Sequence, residues 1–179
     1  MHIREAAPRD KNAILAIVEP ILRAGDTYAI DPNLTRDQIA DYWLGADKTT
    51  LVAEQDGQIL GTYYIRTNQA GGGAHVCNCG YMVAPNARGQ GLARKMCEDS
   101  LVRAKGLGYR AMQFNSVVAT NEGAIRLWER AGFDTVGRLP AAFLHPRLFT
   151  HVRAHKFTDT GCNVRVRACT CMSGFYTLW

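Results

Sequence analysis

Hydrophobic and polar positions alternate along this chain with two different periods, and the succession of those periods outlines its elements. Residues 2–5 form a short strand. Pro8 then opens an amphipathic helix in which Ile14, Ile17, Val18, Ile21 and Leu22 recur at helical spacing. Pro20 is expected to kink that helix or end its regular part. Thr35 and Gln38 have the spacing of a capping box for a second helix through Trp43, with Gly45 to close it. Residues 50–55 and 58–67 are β-rich and joined at Asp56-Gly57, a pair favoured in tight turns, so they form an antiparallel hairpin.

After a loop with three consecutive glycines, residues 75–83 form a strand that ends at Ala84-Pro85. Leu92, Met96, Cys97, Leu101 and Ala104 restore the helical period, and Arg94/Glu98 and Lys95/Asp99 are exposed pairs of opposite charge. Gly106 or Gly108 ends this helix, and residues 110–118 form the next strand. A strand, a crossover helix and a further strand place the two strands parallel and adjacent. Asn121 caps a fourth helix with Ala124, Leu127, Trp128 and Ala131 on one face, and residues 133–139 and 149–157 are the last strands. The order β α α β β β α β α β β specifies a layered α/β (α+β) domain with a sheet of mixed direction.

Composition narrows the setting. At 179 residues, 47% hydrophobic and 21% charged, the chain suits one globular domain. The first residues carry charges where an export signal has its apolar stretch, and no apolar run is long enough to span a bilayer, so a cytoplasmic, membrane-free setting is expected. Cys77, Cys79, Cys97, Cys162, Cys169 and Cys171 are therefore expected to be reduced thiols. Their C-x-C pairs lack zinc-site spacing, and no metal is expected. The formal net charge is +5, but five basic residues and one acidic residue fall from Arg147 onward, leaving 16 basic against 15 acidic before it. No helix carries a basic stripe, which argues against a nucleic-acid partner.

The segment YMVAPNARGQGLARKM places a strand end, a loop and a helix start in succession, with Arg88, Gly89, Gln90, Gly91, Leu92 and Ala93 at the junction. A helix N-terminus offers unpaired N–H groups and the positive end of its dipole, and glycine lets backbone approach an anion, so this junction suits a pyrophosphate. Arg88 and Arg94 add charged donors. A Walker loop would need Gly-Lys-Ser/Thr, which is absent, and a dinucleotide fingerprint would need a small residue where Arg94 stands.

Arg88-x-x-Gly91-x-Ala93, followed by Asn121-x-x-Ala124-Ile125-x-Leu127-x-x-x-Ala131-Gly132-Phe133, resembles the two signatures of the GNAT acyltransferases over about residues 2–157. Gly25 to Ala29 (GDTYA), Asn78, and Arg138 to Pro146 (RLPAAFLHP) further resemble a subgroup that includes fungal N-acetyltransferases of proline analogues. The resemblance implies a GNAT fold: a mixed, mostly antiparallel sheet of roughly six to seven strands and about four helices, with a central parallel pair that splays where the first of the two strands bulges. It implies acetyl-CoA as co-substrate, with Tyr81, Met82 and Val83 as a main-chain wall and Gly89 to Arg94 as the pyrophosphate cradle. It also implies Asn121 as a partner of the pantetheine arm, unless Asn121 only caps its helix. The domain is expected to cover residues 1–158. Residues 159–179 form an atypical extension that alternates like a strand and either pairs at a sheet edge, lines a homodimer contact or is poorly ordered.

The implied reaction is direct attack of a neutral amine on the thioester, with main-chain N–H groups at Met82 or Val83 as oxyanion donors. Trp128 stands where many family members have a tyrosine. Its indole is a donor but not a usable acid, so it either hydrogen-bonds the sulfur or packs in the core. Asn78 and Asn115, on the strands flanking the splay, either orient substrate or water or satisfy loosened backbone groups. Asp26, Tyr28, Tyr42 and His145 are candidate acceptor-binding residues, with His75 and Glu54 as weaker candidates for a water-mediated base. The expected activity is N-acetylation of a small amine or amino acid. The alternatives are a silent acyl-CoA binding module and an acetyltransferase of protein N-termini or lysines.

Overall fold

The computed structural model describes residues 1–146 and 148–158. Seven strands form one sheet in the order β1-β2-β3-β4-β5-β7-β6. The strands are β1 (His2–Glu5), β2 (Lys48–Gln55), β3 (Gln58–Thr67), β4 (Val76–Val83), β5 (Ala111–Val118), β6 (Asp134–His145) and β7 (Leu148–Thr158). The helices are α1 (Lys11–Ala24), α2 (Arg36–Leu44), α3 (Leu92–Gly106) and α4 (Glu122–Arg130). Every neighbouring pair is antiparallel except β4 and β5. The expected layered α+β fold is thus present, and the extension at 159–179, with Cys162, Cys169 and Cys171, lies outside the described residues.

Local chemistry explains most boundaries. Asp56 and Gly57 both adopt positive φ, as a two-residue hairpin turn requires. Thr35 and Gln38 form the reciprocal capping box of α2. The stripe Leu92, Met96, Cys97 and Ala104 buries α3. Close packing continues to the sheet, because a Cβ on Gly61 would lie 3.0 Å from the Met96 methyl and 3.1 Å from Leu92.

Several expectations need correction. Pro20 does not end α1, which runs through it to a left-handed Gly25. The missing rung faces solvent, while Ile17, Val18 and Leu22 stay buried on either side and hold the helix. Asp99 pairs with Arg103 at 2.7 Å and accepts the Tyr63 hydroxyl, rather than pairing with Lys95. β6 extends past residue 139 to His145, so His145 ends a strand instead of sitting in a loop. Pro140 is tolerated there because β6 is the outer strand and is irregular between Leu139 and Phe143.

The aromatic core lies between sheet and helices, with Trp43, Tyr63 and Met96 fully buried. A smaller cluster of Val118, Phe143 and Val152 anchors the β6–β7 hairpin. That hairpin reaches the loop after α1: a Cβ on Gly25 would lie 4.0 Å from Pro146.

Candidate active site

β4 and β5 pair only at Val76–Ala111 and Cys77–Met112, after which they part. The parting leaves a gap that opens toward the N-terminus of α3. On its other edge β4 stays in unbroken register with β3 from Cys77 to Val83. Asn68 N–H donates to Val76 O (2.9 Å) and Ala84 N–H to Leu60 O (2.8 Å), which sets the alternation of that ladder. Asn78, Gly80 and Met82 therefore commit their main-chain groups to β3, whereas Cys79, Tyr81 and Val83 turn theirs toward the gap. Arg110 N–H donating to His75 O at 2.8 Å fixes the same side. Met82 accordingly has no main-chain donor to offer the gap, and the oxyanion candidates become Tyr81 and Val83. The bulge expected in β4 is absent from its ladder with β3; β5 carries it, with one extra residue between Phe114 and Val117.

Past Pro85–Ala87 the chain turns through Gly89 (φ 77°) and Gly91 (φ 74°) into α3. A Cβ at either glycine would meet nothing within 4 Å, so the loop is open to close approach. The helical hydrogen bonding begins with Lys95 N–H to Gly91 O at 3.2 Å, which leaves the N–H groups of Leu92, Ala93 and Arg94 ahead of it. Gln90 is tied back to Asn86 O at 3.1 Å, Arg88 is exposed, and Arg94 lies along the helix against Glu98 at 2.7 Å. The arrangement has what an anion needs: free N–H groups, a dipole end and flexible exposed cations.

The family model for the acetyltransferase (GNAT) family matches residues 17–133. The chain belongs to that family. A GCN5-related N-acetyltransferase from Kribbella flavida is 39% identical, with a TM-score of 0.83 over 88% of this chain and 96% of that one. N-acetyltransferase aca1 of Schizosaccharomyces pombe is 32% identical over 65% of this chain and 63% of its own length, so the chain spans less than two thirds of that relative. A putative acetyltransferase, yncA, from Salmonella typhimurium, solved with its cofactor acetyl-CoA, shares the fold at TM-score 0.81 and 21% identity over 94% of this chain and 99% of that one.

Within this GNAT domain, Trp128 is buried against Phe114 (4.6 Å), Tyr81 (5.1 Å) and Phe133 (6.1 Å), and none of the hydrogen bonds among the described residues starts from its indole. That geometry places the indole ring in the aromatic core. Asn121 accepts from Ala124 N–H at 3.2 Å, as a helix cap should. Asn78 is buried and donates to Gln113 O at 2.8 Å, satisfying backbone loosened by the splay. Asn115 is exposed and is held by side chains alone, donating to Asn68 at 2.8 Å and accepting from Gln113 at 3.1 Å.

Tyr28 donates its hydroxyl to Tyr81 O at 3.0 Å, reaching from the α1–α2 loop to the gap. Burial pushes its phenol well above the usual range, so it stays protonated as a donor. Tyr42 stacks edge-on to Tyr64 at 6.4 Å. Asp26 follows Gly25, and His145 precedes Pro146 and packs 6.5 Å from Phe143, so the Gly25–Pro146 approach brings those two segments together. Glu54 pairs with Arg4 at 2.6 Å and His75 meets Gly72 O at 3.1 Å, neither at the gap. Tyr64, Arg66, Lys48, Asn68 and Gln113 were not singled out by the sequence. Period-two alternation puts Tyr64 and Arg66 on one face of β3, but only the β3–β4 register sets them beside Gly80 and Asn78.

Proposed function

We propose that the protein transfers an acetyl group from acetyl-CoA to the amine of a small molecule or amino acid. The observation that carries this reading is the gap between β4 and β5 running into the open glycine loop at the start of α3. The N–H groups ahead of Lys95, with Arg88 and Arg94, hold the pyrophosphate. Main-chain groups of Tyr81 and Val83 line the pantetheine arm and supply the N–H that stabilises the carbonyl oxygen as it gains charge. The amine attacks the thioester carbonyl directly, the nitrogen gives up its proton to water, the C–S bond breaks, and the thiolate takes a proton from water because the Trp128 indole is a donor but not a usable acid. Asn115 orients the incoming amine or its water, and Asp26, Tyr28, Tyr42 and His145 bound the acceptor side.

Release of free thiol on mixing the protein, acetyl-CoA and a panel of amines and cyclic imino acids tests this reading. Multiple turnovers with a small amine support it. Coenzyme A affinity without thiol release identifies a silent binding module, and turnover confined to peptide N-termini or peptide lysines identifies a protein acetyltransferase.

A further inference from the structure

Lys48 and Arg66 face each other directly across β2 and β3, on the sheet face that also carries Tyr64 and Asn78. Like charges opposed in a ladder repel, so the pair needs an anion. Asp47 supplies one, at 2.6 Å from Lys48 Nζ and 3.7 Å from Arg66 Nη1. The match is unequal. The Lys48 side chain is only 5% exposed, Asp47 is 59% exposed, and one carboxylate serves two cations. Arg66 Nε is buried with no hydrogen-bond partner among the described residues, a donor that costs stability until something accepts from it.

The surroundings set this charge beside Tyr64, on the sheet face that carries Asn78. Lys48 Nζ lies 5.8 Å from the ring centres of both Tyr42 and Tyr64, and the Arg66 guanidinium lies 6.0 Å from Tyr64. Lys48 is thereby nearly out of water, which strengthens its attraction for an anion, while the Arg66 side chain stays 34% exposed and reachable. Tyr64 packs over Gly80, where a Cβ would lie 2.7 Å from its ring. Arg66 is the cross-strand partner of Asn78, which is three residues, or about 10 Å of strand, from Tyr81. An arginine side chain and the span of an amino acid cover that distance.

Resting on the acetyl-transfer reading above, we infer that Arg66 and Lys48 receive a carboxylate carried by the acceptor, which is thus a free amino or imino acid and not the amine of a polypeptide. The carboxylate accepts from Arg66 Nε and an adjacent guanidinium N–H, the planar fork suited to it, and displaces Asp47 from part of its duty.

Thiol release from acetyl-CoA, measured on α-amino and imino acids each paired with its primary amide, tests this assignment. The amide keeps the amine and the side chain and loses the charge. The wild-type protein should prefer acid over amide in kcat/KM by about tenfold or more, as loss of charged hydrogen bonds implies. Arg66→Gln and Lys48→Met should each move that ratio toward unity, and Asp47→Asn should raise it by freeing the cations. The Asp47 arm and the wild-type ratio stand even where an Arg66 variant fails to fold. A wild-type ratio near unity overturns the inference while leaving acetyl transfer intact, as does an unchanged ratio in the Asp47 variant. Absence of thiol release with every acceptor overturns both.

Discussion

The two sides of the β4–β5 gap are built in different ways. The proposed donor side, from Tyr81 to Arg94, is a continuous stretch of main chain: two residues that turn their backbone to the gap, two left-handed glycines and a helix end. The proposed acceptor side would draw single side chains from the α1–α2 loop, α2, β2, β3, β5 and the β6–β7 hairpin.

Changes on the two sides should therefore separate binding of the donor from use of the acceptor. The largest effect is expected from Gly91→Val, which strains a left-handed position and puts branched bulk into the cradle. Coenzyme A affinity by calorimetry should fall about 100-fold or more, with the far-ultraviolet spectrum preserved; retained affinity would move the donor site elsewhere.

Asn115→Ala acts on the other side and should lower turnover about tenfold or more while acetyl-CoA binding stays nearly intact. Unchanged turnover removes Asn115 from the reaction. Tyr28→Phe joins the two sides, since it deletes the bond to Tyr81 O. A single hydrogen bond of about 1 kcal/mol predicts roughly a fivefold drop in kcat/KM. Trp128→Phe keeps an aromatic ring in the cluster and should leave kcat within about threefold; a loss near 100-fold would restore the indole to the chemistry.

The smallest effect concerns β7, away from the gap. His155 is fully buried, with Thr135 Oγ1 at 3.2 Å, and burial lowers its basicity below the usual value. The unfolded chain then binds a proton more readily than the folded one. The resulting stability is complete above a pH of about 6.5 and is lost as the pH falls from there toward the lowered native value. His155→Gln should flatten the fall in Tm between about pH 7 and 5, and an equally steep fall would assign that dependence to other groups.

The geometry proposed to hold the donor was readable from sequence because it is local. Glycine spacing, a strand before it and an apolar helical stripe after it are all visible within a few turns of chain, and Asn121 announces the next helix by capping it. What misled was also local in origin. Pro20 signals a break by its chemistry, but buried neighbours on both sides outweigh one lost hydrogen bond. The ladder parity that moves the main-chain donors from Met82 to Tyr81 and Val83 depends on how β4 meets β3, which no residue of β4 specifies.

By itself the sequence determined a layered α+β domain, the hairpin at Asp56-Gly57 and the glycine-flanked start of α3, because each follows from contacts between residues close in the chain. Tertiary structure alone decided that Trp128 packs into an aromatic cluster, that the extra residue lies in β5, and that Lys48 and Arg66 stand opposed beside Asn78. Those facts depend on register between distant strands, where a shift of one residue sends every side chain to the opposite face.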